Sequence, residues 1–139
     1  MLVVMALPMM VACGDDDGGS GGSIKSKLVG IWKTSINSSN WKCIEIKSDG
    51  TIRRDIFIQD DGTIHACSNY NSKIKTLWTY DEKEQVISMF TDDGYYTYTY
   101  KVNMADDGNS WAGYTTSSSG STKTVSFVRL QGPIIEAEN

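Results

Sequence analysis

The chain has little histidine, proline or positive charge, and the shortage of charge excludes one class of partner. It contains one histidine and two prolines among 139 residues, and its net charge at neutral pH is -4. The only adjacent pair of basic residues is Arg53-Arg54, in an alternating stretch that predicts one solvated and one packed side chain. Because phosphate contacts need a concentration of lysine and arginine, we expect no nucleic acid partner.

Groups that could carry out catalysis are equally scarce. His65 is the only histidine, and Cys67 would share its face of a strand, but a solvated thiol without a neighbouring cation is not activated. The acidic turns lack the regular alternation of carboxylates that forms a calcium loop. The sequence therefore predicts no enzyme activity, no metal site and no cofactor.

Long apolar runs are missing as well. Residues 1–12, MLVVMALPMMVA, are too few to span a bilayer, which needs about 20 residues, but they match the length of the apolar part of a secretion signal. Met10-Val11-Ala12-Cys13 resembles the lipobox that lipoprotein signal peptidase cleaves. The resemblance implies a signal peptide over 1–12, a lipid on Cys13 that attaches the protein to a membrane, and an outer-membrane lipoprotein of the cell envelope.

Glycine, aspartate and serine dominate residues 13–23, which predicts a flexible tether behind the lipidated cysteine. Asp15, Asp16 and Asp17 resemble the export signal of surface lipoproteins in the Bacteroidetes, which implies an outward-facing protein. A solvated spacer explains the same three carboxylates, so a periplasmic position stays open.

The rest of the chain has the composition and pattern of a β protein. Residues 24–131 form the predicted domain, and residues 132–139 are expected to be a flexible tail. Apolar and polar residues alternate in short runs separated by Asp-Gly turns, and the links are too short for parallel crossovers. The predicted strands are 28–36, 41–47, 51–58, 63–70, 74–80, 85–91, 95–102, 109–116 and 123–130, of which 63–70 has the weakest pattern.

About eight antiparallel strands in simple succession leave two open edges, which closure into an up-and-down barrel removes. The sequence therefore predicts an all-β, single-domain antiparallel barrel, with a two-sheet sandwich as the alternative.

The first and last predicted strands carry a short family signature. Gly30-Ile31-Trp32 begins the first strand, and Arg129 lies in the last. Together they resemble the signature of lipocalins and related calycin barrels, in which the tryptophan closes one end and a basic residue packs over its ring. The resemblance implies that Gly30, Trp32 and Arg129 close the barrel, through a cation–π contact of roughly 0.5–2 kcal/mol. The whole chain is similar to small lipocalin-like lipoproteins of the Bacteroidetes, although it is shorter than a full lipocalin.

Aromatic residues suggest where a ligand would bind. Tyr96, Tyr98 and Tyr100 share one face of a strand, and Trp78 and Trp111 lie in neighbouring strands. If these faces point inward, they form apolar walls with polar tips, which suit a small hydrophobic or amphipathic ligand. The same residues could instead fill a narrow core or form ladders on the outside.

Two cysteines remain once Cys13 carries a lipid. Cys43 and Cys67 lie in an exported domain, which favours a disulfide. The strand register places them two strands apart, at roughly 9–10 Å, beyond the ~7 Å that a disulfide bridges. The sequence leaves both states open.

These features predict a lipid-anchored, non-enzymatic binding module for a small hydrophobic or amphipathic ligand. The alternative is an envelope domain with a filled barrel that presents its loops to a protein or glycan. The volume inside the barrel separates the two hypotheses.

Overall fold

Alternation of apolar and polar residues gives each long strand one face that is buried and one that meets water. The computed structural model describes residues 23–67 and 73–137. The predicted signal peptide, Cys13 and almost all of the tether lie outside the described residues. The elements are helix α1 (Ile24–Leu28), a 3-10 helix (Ser39–Trp41) and strands β1 (Gly30–Thr34), β2 (Cys43–Ile46), β3 (Thr51–Arg53), β4 (Ile56–Ile58), β5 (Ile64–Ala66), β6 (Thr76–Asp81), β7 (Val86–Thr91), β8 (Thr97–Met104), β9 (Ser110–Thr116), β10 (Thr122–Leu130) and β11 (Ile134–Ile135).

Eight of the strands form a closed antiparallel barrel, in the order β1, β2, β3, β6, β7, β8, β9 and β10, with β10 paired back onto β1. This confirms the prediction of an all-β, eight-stranded barrel and excludes the sandwich. Closure leaves the barrel without a free edge. None of the helices among the described residues is long and apolar enough to cross a membrane.

Asp-Gly turns join neighbouring strands, as the sequence predicts. In four of them the aspartate Oδ1 accepts a hydrogen bond from the backbone N–H two residues on, at 2.9–3.0 Å. The glycine that follows each aspartate has a positive φ, which glycine adopts without steric cost. The four aspartates are Asp49, Asp61, Asp93 and Asp107, and they act as turn residues.

The predicted strand 51–58 is wrong, because it is two strands in different sheets. Strand β3 ends at Arg53, and β4 begins at Ile56 outside the barrel, where it pairs with β5. The break lets the apolar faces of the β4–β5 hairpin cover Cys43 on the outer wall, in a small core that includes Ile56 and Ile64. The weak strand predicted over 63–70 contains β5, which lies in this small sheet.

The predicted flexible tail is also wrong for the part that the structure describes. Ile134 and Ile135 form β11, which pairs in parallel with β5. Glu136 then accepts hydrogen bonds from the guanidinium of Arg53 at 2.7 and 3.0 Å. Parallel pairing is possible because β6 to β10 separate the two strands in sequence, which provides the long connection that the individual turns lack.

The two ends of the barrel differ. At the closed end, α1 covers the opening next to the start of β1 and the end of β10. At the other end, called the mouth, lie the connections 35–42, 92–96 and 117–121 and the described parts of the connection between β3 and β6, residues 54–67 and 73–75. The main core fills the inside of the barrel, and its fully buried members include Trp32, Phe127, Ile44, Ile87 and Met89.

Candidate ligand site at the mouth of the barrel

A row of three tyrosines runs from the mouth into the core along the inner face of β8. The rings of Tyr96 and Tyr98 lie 6.3 Å apart at 14°, and those of Tyr98 and Tyr100 lie 6.1 Å apart at 11°. Tyr100 is buried in the core, while Tyr96 and Tyr98 are partly exposed. Burial, with a smaller contribution from Tyr98, raises the pKa of Tyr100 to about 12. The predicted row therefore faces inward, and its side chains become less exposed to solvent from Tyr96 to Tyr100.

Trp41 lies across the upper part of this row. The short 3-10 helix between β1 and β2 places its indole edge-on to Tyr98, with ring centroids 4.9 Å apart, and to Tyr96 at 6.2 Å. The side chain is 0% exposed. Its Nε1 has no hydrogen-bond partner among the described residues. Trp41 therefore closes the mouth, and its indole N–H is a hydrogen-bond donor without an acceptor among the described residues.

Arg54 lies over the ring of the same indole. Its Cζ lies 4.6 Å from the centroid of the Trp41 ring, and its Nε donates to Thr76 Oγ1 at 2.8 Å. Arg54 is only 8% exposed, whereas neighbouring Arg53 points outward and donates to Asp55 and Glu136. The two arginines thus lie on opposite faces, as alternation predicts, with Arg54 buried and Arg53 partly exposed and held in two ion pairs.

A groove next to Arg54 lies along the junction of β3 and β6. The two strands share only two residue pairs, Thr51 with Leu77 and Ile52 with Thr76. The groove has a volume of about 350 Å³. The charged residues that line this groove are Lys47, Arg53, Arg54, Lys75 and Asp55. Four cations and one carboxylate make the groove electropositive.

Two residues of the predicted ligand site lie elsewhere in the barrel. Trp111 stacks on Phe127 at 3.7 Å and meets Trp32 edge-on at 6.1 Å, deep in the core near the closed end. Trp78 is buried, and its Nε1 donates to the carbonyl of Lys47 at 2.7 Å. Both tryptophans are packed in the core. Of the predicted ligand residues, only Tyr96 and Tyr98 therefore lie together at the mouth.

The predicted closure residues meet at the closed end. Trp32 faces Arg129 across the β1–β10 ladder, and the guanidinium Cζ lies 4.3 Å from the centroid of the Trp32 ring. Gly30 has φ +149°, and a Cβ there would overlap the guanidinium. The glycine is therefore needed for the approach of Arg129.

The two cysteines are free thiols in the structure. Cys43 faces the small core outside the barrel, and burial together with the proximity of Cys67 raises its pKa to about 11. The N–H of Cys67 donates to the carbonyl of Asp55 at 2.6 Å.

No family model, curated protein or solved structure matches the chain. The similarity to lipocalins and to Bacteroidetes lipoproteins consequently stays a prediction from residues, and the site has to be interpreted from its own geometry.

Trp41, Arg54 and Thr76 are the site residues that sequence reasoning missed. Trp41 and Arg54 each fall within a predicted strand, where they look like ordinary inward positions, and their meeting depends on the break after Arg53. One sequence signal was available, since a basic residue at an inward position of a strand needs a special partner.

Proposed function

We propose that this protein is a lipid-anchored, non-enzymatic binding module that holds a small hydrophobic or amphipathic ligand at the mouth of its barrel. The observation that carries the proposal is the inward row of Tyr96 and Tyr98 under the indole of Trp41. Flat apolar rings with a few polar atoms are the usual composition of a small-molecule site. The ligand would lie between these rings and displace the Trp41 indole from the row.

Packing inside the barrel limits how deep such a ligand would enter. The stacked pair of Trp111 and Phe127, together with Trp32 and Tyr100, occupies the half of the barrel near the closed end. An eight-stranded barrel is narrow enough for side chains to fill. We therefore place the ligand in the outer half only.

The same packing favours a second candidate function, an envelope domain that binds a protein or glycan through its loops. Full burial of Trp41 supports this candidate, because the indole itself acts as the plug of the mouth. The two candidates differ in whether Trp41 moves to admit a ligand.

A fluorescence titration separates the two candidates. The probe is N-phenyl-1-naphthylamine, a neutral aromatic amine, added to the full chain carrying Cys13→Ser so that no lipid is attached. We expect saturable binding that Tyr98→Ala weakens about tenfold, an energy of about 1.4 kcal/mol. The control is Tyr114→Ala on β9, whose partners in the ladder are Lys101 and Thr124, outside the main core.

Absence of saturable binding would remove the ligand-binding proposal and leave the loop-display candidate. Equal loss of binding in Tyr98→Ala and Tyr114→Ala would also contradict it, because the loss would not arise at the mouth. Circular dichroism of each variant shows whether the barrel is intact.

Attachment to the membrane is proposed separately and rests on Cys13 and the sequence around it. Cys13→Ser should move the exported protein from the membrane fraction to the soluble fraction. An exported Cys13→Ser protein that stays with the membrane would show that the lipid is not the anchor.

A further inference from the structure

We propose that the ligand at the mouth is an anion, and that its acid group pairs with the guanidinium of Arg54. The inference rests on the proposed function and specifies its ligand as an amphipathic acid, such as an aromatic or aliphatic carboxylate or sulfonate.

Arg54 is a buried cation without a protein counter-ion in the part of the chain that the structure describes. Both ion pairs found among those residues belong to Arg53, which contacts Asp55 at 2.6 Å and Glu136 at 2.7 Å. Arg54 has instead the Trp41 ring and one hydrogen bond, from its Nε to Thr76. A cation–π contact offsets part of the cost of removing a guanidinium from water, but a charged partner offsets far more.

Asp93, the carboxylate whose pKa the charge of Arg54 lowers, is committed to its own turn. Asp93 feels the charge of Arg54, but it accepts hydrogen bonds from Thr91 Oγ1 at 2.7 Å and from the N–H of Tyr95 at 3.0 Å. These turn contacts are the larger causes of its lowered pKa. Asp93 therefore does not neutralise Arg54 by direct contact.

The groove beside Arg54 has the charge and size for an acid group. Lys47, Lys75 and Arg53 share its lining with Arg54, and Asp55, the one carboxylate there, is already paired with Arg53. Its volume of about 350 Å³ lies within the range of about 300–1,000 Å³ typical of small-molecule sites. A planar guanidinium also recognises carboxylates and sulfonates through two parallel hydrogen bonds.

The Nε1 of Trp41 is a buried donor without a partner, next to Arg54. The indole under Arg54 is fully buried, and its N–H has no acceptor among residues 23–67 and 73–137. Buried donors are nearly always paired, so an unpaired one needs an explanation, and the Nε1 of Trp111 in the packed core is the other example among the described residues. A ligand that displaces the Trp41 indole, as proposed above, would free this donor to pair with its acid oxygen or with water.

The test uses two probes that differ only in one charged group. 1-Anilinonaphthalene-8-sulfonate carries a sulfonate on the skeleton of N-phenyl-1-naphthylamine, and both become fluorescent when bound. We expect the full chain with Cys13→Ser to bind the sulfonate at least about tenfold more tightly than the neutral amine.

Arg54→Met and Arg54→Gln should each abolish this preference, so that the two probes bind the variant with affinities equal within about twofold. Methionine replaces the buried cation with an apolar chain of similar length, a change that is often neutral or stabilising, so this variant is expected to fold. The matched control is Lys101→Gln, which removes one positive charge from an exposed position on β8, away from the groove.

The results separate this inference from the function beneath it. Equal affinity of the native protein for both probes would overturn the anion inference and leave the binding function standing. Failure of both probes to bind would remove the binding function. A preference for the sulfonate that survives in either folded Arg54 variant, or that Lys101→Gln removes equally, would also overturn the inference.

Discussion

Arg129 lies over the indole of Trp32, with Cζ 4.3 Å from the ring centroid, at the position where the last barrel strand meets the first. The same guanidinium donates to the carbonyls of Val29 at 2.9 Å, Lys27 at 2.6 Å and Gly108 at 2.8 Å. One side chain therefore connects α1, the β1–β10 seam and the β8–β9 turn, and it satisfies carbonyls at the end of α1.

Arg129→Met should destabilise the barrel strongly. The variant keeps much of the apolar chain but loses the cation–π contact and leaves three carbonyls without their donor, a cost of about 2–4 kcal/mol. Urea unfolding measures it. Lys123→Met, an exposed change on the same strand, is the control and should stay within about 0.5 kcal/mol of the native protein. Equal midpoints for the two variants would show that Arg129 does not hold the closed end.

The closed end and the mouth differ in how far the sequence predicts them. Gly30, Trp32 and Arg129 belong to two strands with clear alternation, so the pattern places them on one face and the resemblance pairs them. Trp41 and Arg54 meet only because the chain leaves the barrel after Arg53, and local alternation does not contain that break. The alternation therefore predicted the barrel and the resemblance its closure pair, but neither predicted the side chains that cover the mouth.

The stability of the C-terminal strand β11 on the small sheet should depend on the ion pair between Arg53 and Glu136. The guanidinium of Arg53 lowers the pKa of Glu136. The ion pair therefore stabilises the folded segment at pH values above the ordinary pKa of the carboxyl, and this stabilisation is lost as the pH falls. Glu136→Gln should speed hydrogen exchange at the amides of Ile134 and Ile135, relative to their intrinsic rates, at neutral pH.

Lowering the pH should also speed hydrogen exchange at these two amides in the native protein, relative to their intrinsic rates, but should not do so in Glu136→Gln. The control is Glu84→Gln, an exposed change in the β6–β7 turn. Exchange at Ile134 and Ile135 that is as slow in Glu136→Gln as in the native protein would mean that the backbone pairing with β5 suffices to hold the segment.

The two thiols should differ in reactivity. Cys43 is buried and its pKa is raised to about 11, so little thiolate forms near neutral pH, while Cys67 is partly exposed. In the folded Cys13→Ser protein at about pH 8, iodoacetamide should therefore modify Cys67 well before Cys43. Unfolding without reductant should make both react, as the free thiols of the structure require. A chain that resists alkylation until reductant is added would contain the Cys43–Cys67 disulfide instead.

The small sheet shows why the disulfide could not be decided from the sequence. The register argument treated residues 51–58 as one strand in the barrel wall, whereas the structure divides them between two sheets. Ile56 and Ile64 instead pack over Cys43 from outside the barrel, because this contact removes their apolar side chains from water. Distances that span two sheets depend on this packing and not on the alternation within a strand.

Tyr100 should make the protein less stable in alkali. Its pKa in the folded state is about 12 against an ordinary value of 10.0, because burial and the neighbouring Tyr98 disfavour the phenolate. Between these values the unfolded chain has released the proton and the folded chain has kept it, so stability falls as the pH rises. The contribution of the neutral Tyr100 phenol to the free energy of unfolding is fully present below about pH 10 and is lost by about pH 12. Its upper limit is about 2–3 kcal/mol.

Urea unfolding of Tyr100→Phe across the same pH interval measures this contribution. Phenylalanine does not titrate, so the free energy of unfolding of the native protein should fall relative to that of the variant from about pH 10 to about pH 12. Tyr95→Phe is the control, since Tyr95 is 78% exposed and its replacement should leave the native pH dependence unchanged. If Tyr100→Phe loses stability in alkali as steeply as Tyr95→Phe, the inner end of the tyrosine row is wet, and water already reaches the half of the barrel that we regard as closed to ligand.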